Sequence, residues 1–193
     1  MRLLAFSDIH RDKRQAARLA ERARDVEVVI AAGDFASIHR GLEELIDMLV
    51  VIETPTVVVP GNNETEEALR EACAGWAAAK VLHGEGTEID GVAFYGLGAG
   101  VPTTPWDWSF DLTEEEAAAK LAACPAGAVL VSHSPPKGCL DEGLGSDAVL
   151  EAIRDKRPRL VVCGHIHECN GREGTLGETR VVNAGPGGML LEL

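Results

Sequence analysis

The chain has 193 residues, a formal net charge of −13, and hydrophobic residues at 46% of its positions. This length predicts a single domain over residues 1–193, and no apolar run approaches the roughly 20 residues that a membrane-spanning helix needs. The acidic charge argues against nonspecific nucleic-acid binding, although a small anionic substrate can bind where metal ions supply positive charge.

The N-terminal stretch "MRLLAFSDIH" is too short for a signal peptide and predicts a first strand, so a cytoplasmic protein is expected. The cysteines show no Cys-x-x-Cys spacing, although two of them flank "GHIHE". Buried free thiols in a reducing compartment are therefore expected in preference to a zinc finger. The five are Cys73, Cys124, Cys139, Cys163 and Cys169.

Strands and helices alternate along the first half of the chain. This order predicts parallel strands joined by helical crossovers, and the nearly continuous apolar strands indicate a sheet covered on both faces. Ligands of such sheets bind beyond the carboxyl ends of the strands. The predicted strands are 2–8, 26–34 and 56–62, and the predicted helices are 14–23, 41–52 and 65–77.

The second half of the chain predicts a hairpin, a loop and further strands. Glycine-broken strands over 81–99 surround Asp90-Gly91, a two-residue turn signal. An aromatic loop follows over 101–111, and Thr113 with Glu116 forms a capping-box signature at the start of a helix. A second helix is predicted near 147–155, and further strands at 128–133, 159–165, 179–185 and 189–193.

Polar residues stand where five of the apolar strands end. Side chains at positions i and i+2 of an extended segment point the same way, so each of the pairs Asp-x-His and His-x-His can converge on one locus. Carboxylates, imidazoles and an amide oxygen suit Mn²⁺, Fe or Zn²⁺ better than a calcium cage. Seven side chains exceed the needs of one ion and fit two ions about 3.5–4 Å apart that share a carboxylate. They are Asp8, His10, Asp34, Asn62, His133, His165 and His167.

The series "DIH", "GD", "GNNE", "SH" and "GHIH" resembles the calcineurin-like metallophosphoesterase superfamily, whose pattern is D-x-H, G-D, G-N-H-D/E, H and G-H-x-H. The short chain is similar to the small prokaryotic phosphodiesterase branch. The resemblance implies an α/β fold, a four-layer αββα sandwich. It also implies that Asp34 bridges two metals, the first held by Asp8, His10 and His167 and the second by Asn62, His133 and His165.

This resemblance implies a metal-dependent phosphoesterase, foremost a phosphodiesterase, acting on a small phosphoester. The cofactors are two divalent ions, manganese first, with iron, zinc, magnesium or nickel as alternatives. A metal-bridging hydroxide would attack phosphorus in line, with Asp34 placed at the reacting centre and Asn62 supplying a neutral oxygen. A phosphomonoesterase and a non-catalytic scaffold on the same fold are the alternatives. A nuclease is disfavoured by the acidic charge.

Asn63 departs from the superfamily pattern, which has histidine at this position. That histidine is held to stabilise the transition state or to protonate the leaving oxygen. An amide donates hydrogen bonds but is no general acid, and general acid catalysis contributes about 10²–10⁴-fold. Aryl or activated diesters and pyrophosphates are therefore the favoured substrates. Asn63 would contact substrate phosphate, or it would cap the next helix, with Glu66 three residues on, and order this loop.

Further residues are candidates for substrate contacts. Trp106 and Trp108 would form a wall against a base or aryl group, or would pin their loop to the body. Lys137, in "HSPPKG", would meet a phosphate oxygen or remain solvated. Other polar residues have expected places only: Asn183 and Gly185 turn the chain near the metals, His39 lies in a loop or lines the pocket, and His83 lies at the hairpin surface.

Overall fold

A computed structural model describes all of residues 1–193, which form five helices and eleven strands. The helices are α1 (Lys13–Arg22), α2 (Leu42–Leu49), α3 (Glu66–Ala72), α4 (Glu114–Leu121) and α5 (Asp147–Lys156). The strands are β1 (Arg2–Phe6), β2 (Val28–Ala31), β3 (Thr56–Val58), β4 (Ala79–Val81), β5 (Glu85–Ile89), β6 (Val92–Leu97), β7 (Val129–Ser132), β8 (Leu160–Cys163), β9 (Arg172–Leu176), β10 (Thr179–Asn183) and β11 (Met189–Glu192). None of the helices is both long and apolar enough to cross a membrane.

The strands form two mixed sheets. The first has the order β11-β1-β2-β3-β4, in which only β11 runs antiparallel to its neighbour. The second has the order β5-β6-β7-β8-β10-β9, with β6, β7, β8 and β10 parallel and the two edge strands antiparallel. The parallel strands of each sheet therefore end at one edge, which is where the predicted ligands follow them.

Three apolar layers separate the two sheets and the helices. Side chains alternate across a strand, so Leu4 packs with Leu19 and Leu45 under α1–α3, while Leu3 faces the second sheet. On the far side of the second sheet, α4 and α5 pack their apolar faces, including Val149, against β6–β8. The order helix, sheet, sheet, helix confirms the expected four-layer αββα sandwich.

The glycine-marked hairpin is confirmed. β5 and β6 pair antiparallel around Asp90 and Gly91, whose φ angles of 49° and 76° are those of a type I′ turn. The Thr113–Glu116 capping box is also present.

All five cysteines are free, and only Cys139 is partly exposed. Two strands escaped prediction, because β4 and β9 lie at sheet edges and consist of exposed and half-exposed residues, without the apolar run that marks β3.

Two expectations were wrong. Thr65, not Asn63, caps α3, because the Thr65 hydroxyl accepts from the Ala68 amide at 3.2 Å. His83 is buried, not on the hairpin surface, because it follows the unpredicted strand β4 into the body of the protein. There its Nδ1 accepts from the Gly98 amide at 3.0 Å.

Candidate metal centre

The seven predicted ligands come together where the two sheets meet. Asp8 and His10 follow β1, Asp34 follows β2 and Asn62 follows β3, all in the first sheet. His133 follows β7, and His165 and His167 follow β8, both in the second sheet. The sandwich thus closes a ring of donors that no single sheet supplies.

One group of donors surrounds His10 and His167. Their Nε2 atoms lie 3.2 Å apart, and the Nε2 of His167 is 3.5 Å from Oδ1 of Asp8. The Nε2 of His10 is 3.5 Å from Oδ2 of Asp34. Ligand atoms of Asp8, His10 and His167 all lie within 4.8 Å of one another, which is compact enough for a single cation.

A second group surrounds the side-chain oxygen of Asn62. This oxygen is 3.2 Å from Nε2 of His133 and 3.1 Å from Nδ1 of His165. The Nε2 of His133 is also 3.5 Å from Oδ1 of Asp34. Asp34 therefore directs Oδ2 toward the first group and Oδ1 toward the second.

The chemistry of these donors fits cations. Nδ1 of His10 lies 3.1 Å from the Ala36 carbonyl and Nδ1 of His133 lies 2.8 Å from the Ala32 carbonyl. A carbonyl can only accept, so each Nδ1 carries the hydrogen and each Nε2 directs a lone pair into the site. Such converging lone pairs repel one another unless a cation or a proton lies between them.

Burial and charge shift the pKa values of these groups. Burial lowers the pKa of His165 to about 4, and the nearby His133 adds to the effect, so the His165 imidazole is neutral at pH 7. Burial opposes ionisation of Asp8, but hydrogen bonding from His167 and the charge of His133 hold its pKa below the ordinary value. Burial opposes protonation of His133, but Asp34 and Asp8 raise its pKa. Cations at this centre would thus compete with protons on His133.

The backbone at the centre adopts a conformation that side chains rarely take. Asp8, His10, Asp34 and His165 have φ angles of 55°, 42°, 59° and 67°. Left-handed backbone at such residues costs about 1–3 kcal/mol each and persists only where the surroundings hold it. The sharp turns it produces bring side chains from successive positions into one small volume.

Two supporting residues were not predicted to have these roles. The buried carboxylate of Glu64 accepts from the amides of Asp34, Ala36 and Gly61 at 2.8, 3.0 and 2.7 Å, and burial beside Asp34 raises its pKa to about 7. The fully buried Asn183 donates from Nδ2 to the carbonyls of Gly164 and Ile166, each at 3.0 Å. These carbonyls flank His165. The acidic residue that ends the motif "GNNE" is Glu64, and it was the sequence signal from which this supporting role could have been predicted.

Asn63 lies beside the centre with both ends of its amide bonded within the protein. Its Nδ2 donates to Oδ2 of Asp34 at 2.8 Å, and its Oδ1 accepts from the Ile38 amide at 2.9 Å. Its own backbone amide donates to Oδ1 of Asp34 at 2.9 Å. The side chain is therefore placed to order the 37–40 loop and to orient Asp34.

The other predicted contact residues divide by position. The rings of Trp106 and Trp108 stack with centroids 5.5 Å apart, and Trp108 precedes Ser109, whose hydroxyl accepts from Asn62 at 2.9 Å. His39 hydrogen-bonds through Nε2 to the Trp108 carbonyl. Lys137 instead pairs with Asp147, at the start of α5, at 2.7 Å, so its ammonium group lies outside the ring of donors.

A family model described as the calcineurin-like phosphoesterase superfamily domain matches residues 1–191. The chain belongs to this superfamily. The superfamily depends on metals, and the donor groups around Asp8 and Asp34 are this chain's candidate metal-binding residues. No curated protein matches the chain significantly.

Solved structures of the superfamily share the fold. The protein TT1561 of Thermus thermophilus has a TM-score of 0.80 and 20% identity, over 95% of this chain and 88% of that one. A dimetal phosphatase of Danio rerio has a TM-score of 0.67 and 13% sequence identity, over 95% of this chain and 86% of that one. An archaeal phosphodiesterase has a TM-score of 0.59 and 20% sequence identity, over 96% of this chain and 84% of that one. These likenesses show that the chain shares the fold of these solved structures.

Proposed function

We propose that the protein is a phosphoesterase that uses two divalent ions, manganese by preference, and that phosphodiesters are its main substrates. The observation that supports this most directly is the placement of Asp34. Its two carboxylate oxygens face two separate groups of donors, at 3.5 Å from His10 and 3.5 Å from His133. One carboxylate shared between two sites is the arrangement that two ions about 3.5–4 Å apart require.

The charges of the donors suit a phosphoester. Bound divalent ions would offset the charge of the phosphate and lower the pKa of a coordinated water toward neutrality. Asp8 and Asp34 are the two carboxylates of the ring, and the other donors are imidazoles and the Asn62 amide. Two divalent ions would therefore leave about two positive charges, enough to bind a diester with one negative charge or a monoester with two.

Asn63 favours diesters with good leaving groups. It occupies the position of the superfamily's histidine, and an amide has no proton to give to a departing alkoxide. In this structure the side-chain amide of Asn63 donates to Oδ2 of Asp34 at 2.8 Å instead. The proteins of similar fold include an archaeal phosphodiesterase and a dimetal phosphatase of Danio rerio, which supports the reaction class.

Hydrolysis of bis(p-nitrophenyl) phosphate and p-nitrophenyl phosphate, with Mn²⁺ added or chelated, tests the proposal. We expect metal-dependent turnover with a higher kcat/KM for the diester. Asp34→Asn and His133→Gln should remove both Mn²⁺ binding and turnover, while Lys137→Ala, outside the ring, should change neither. Binding of Mn²⁺ without turnover of either ester would favour a scaffold, and a preference for the monoester would favour a phosphomonoesterase.

A further inference from the structure

Two neighbouring loops border the centre, and each is held by one of the paired asparagines. The tryptophan loop, residues 104–111, is held by Asn62, whose Nδ2 donates to the Ser109 hydroxyl and whose carbonyl accepts from the Phe110 amide, both at 2.9 Å. The isoleucine loop, residues 37–40, is held by Asn63. His39 joins the two loops through the Trp108 carbonyl.

Hydrogen bonds between its own residues fix the conformation of the tryptophan loop. Oδ2 of Asp111 accepts from both the amide and the hydroxyl of Thr104 at 2.7 Å, and its Oδ1 accepts from the Ser109 hydroxyl at 2.7 Å. The Ser109 amide also closes a turn onto the Trp106 carbonyl at 3.0 Å. A loop held this way presents its side chains in one arrangement, which lowers the conformational entropy that the loop itself loses when a ligand binds.

This arrangement leaves large apolar surface uncovered beside the centre. Trp106 stacks on Trp108 with an angle of 10° between the rings, yet 50% of Trp106 remains exposed. Ile38, on the isoleucine loop, is 52% exposed and has a left-handed φ of 47°. Both residues therefore contribute little to the apolar core, and the left-handed backbone of Ile38 is held by its surroundings, including the hydrogen bond of its amide to Asn63.

We propose that Trp106, backed by Trp108, is the wall of a subsite that binds a flat aromatic group, a nucleobase or an aryl group, on the ester substituent that phosphorus retains, with Ile38 on the adjoining loop. A ring that already stacks on one face can take a second planar ring on its free face, and such stacking contributes about 1–3 kcal/mol per base. Asp107, exposed between the tryptophans, disfavours further phosphates here. The preferred substrate is accordingly a small aromatic phosphodiester.

This inference rests on the proposed function, and two substrates with one leaving group test it. Thymidine 5′-(p-nitrophenyl phosphate) carries a base, whereas methyl p-nitrophenyl phosphate does not. We expect a lower KM for the thymidine ester, and we expect Trp106→Ala to raise that KM about tenfold while leaving kcat and the methyl ester unchanged. Trp106→Phe should keep part of the effect. Equal KM values in the wild type, or equal losses in Trp106→Ala, would overturn the subsite but leave the phosphoesterase standing.

A binding measurement decides the matter if neither ester is hydrolysed, an outcome that would overturn the proposed function alone. Adenosine 5′-monophosphate and ribose 5-phosphate present the same phosphate with and without a base. With Mg²⁺ present, we expect the first to quench tryptophan fluorescence and the second not to, with Trp76, which is buried, as the unchanging background. Quenching that is the same for both compounds, or that persists in Trp106→Ala, would contradict the subsite.

Discussion

Asn63 orients both oxygens of Asp34. The amide Nδ2 of Asn63 donates to Oδ2 at 2.8 Å, and its backbone amide donates to Oδ1 at 2.9 Å. The residue at which this chain departs from its superfamily's pattern is thus bonded to the carboxylate that is predicted to bridge the metals. Changes at residue 63 should therefore be felt in metal binding as well as in proton transfer.

Asn63→His tests the role of the missing acid. An imidazolium can protonate a leaving oxygen, so we expect gains of up to about 10²-fold for diesters with alkyl or phenyl leaving groups and little gain for p-nitrophenyl esters. The measurement is the dependence of kcat/KM on the pKa of the leaving group. Asn63→Ala is the matched control, since it removes the side-chain hydrogen bond to Oδ2 of Asp34 and supplies no acid. Equal gains across all leaving groups would contradict the argument.

Gly61→Ala should displace Asp34. A Cβ at this position would lie 2.0 Å from Oδ1 of Asp34 and 2.3 Å from its backbone nitrogen, too close for either group to stay in place. We expect Mn²⁺ affinity to fall at least tenfold, corresponding to about 1.4 kcal/mol, as measured by isothermal titration calorimetry. Gly75→Ala is the control, because a Cβ there meets no atom within 4 Å. Unchanged affinity in Gly61→Ala would mean that Asp34 is not a ligand.

Asn183→Ala should loosen the turn that carries His165 and His167. Without Nδ2, the carbonyls of Gly164 and Ile166 lose their buried donor, which costs about 1–3 kcal/mol. We expect a lower free energy of unfolding in urea and weaker Mn²⁺ binding. Asn170→Ala serves as the control, since the buried Oδ1 of Asn170 has no hydrogen-bond partner. Equal losses in both variants would show that the contacts of Asn183 do not position the histidines.

The buried imidazole of His83 should make the free energy of unfolding decrease as the pH is lowered. Burial lowers its pKa from 6.5 to about 4, so between these values the unfolded chain binds a proton that the folded chain does not. Stability is therefore expected to decrease as pH falls through this window, by up to about 1.4 kcal/mol per pH unit from this residue. His83→Asn keeps an acceptor for Gly98 and should flatten the decrease in urea denaturation series at about pH 4–7. An unchanged slope would contradict the assignment.

Much of the ring of donors was predictable because its signals are local. An apolar run that ends in Gly-Asp or Gly-Asn marks both a buried strand and the residue beyond it, and parallel topology brings the strand ends together. The donor atoms of Asp8 and Asp34, which follow the neighbouring parallel strands β1 and β2, could thus be expected at one edge, and they lie within 4.8 Å of each other. The residues follow from the pattern, whereas their assignment as ligands stays a prediction.

Other features depend on partners that are distant in sequence. Whether Asn63 caps a helix or bonds to Asp34 is decided by the turn after β2, which lies 29 positions away. His83 is buried by contacts with Gly98 and Phe110, which the sequence around it does not indicate. The roles of Asn183 likewise depend on the path of β10 beside β8. Local patterns specify elements and their ends, and tertiary contacts decide what a polar side chain bonds to.

The left-handed backbone at Asp8 and Asp34 has an evolutionary consequence. Glycine adopts these φ angles without a steric penalty, so replacing either aspartate by glycine would relieve strain and remove a buried carboxylate. The fold would lose the strain of one left-handed residue, but the backbone amides of Asn63 or His165 would lose their acceptor, and the centre would lose a donor. Because these two effects on stability oppose each other, selection for a durable fold alone would protect neither carboxylate, and only selection for the chemistry of the centre would retain them.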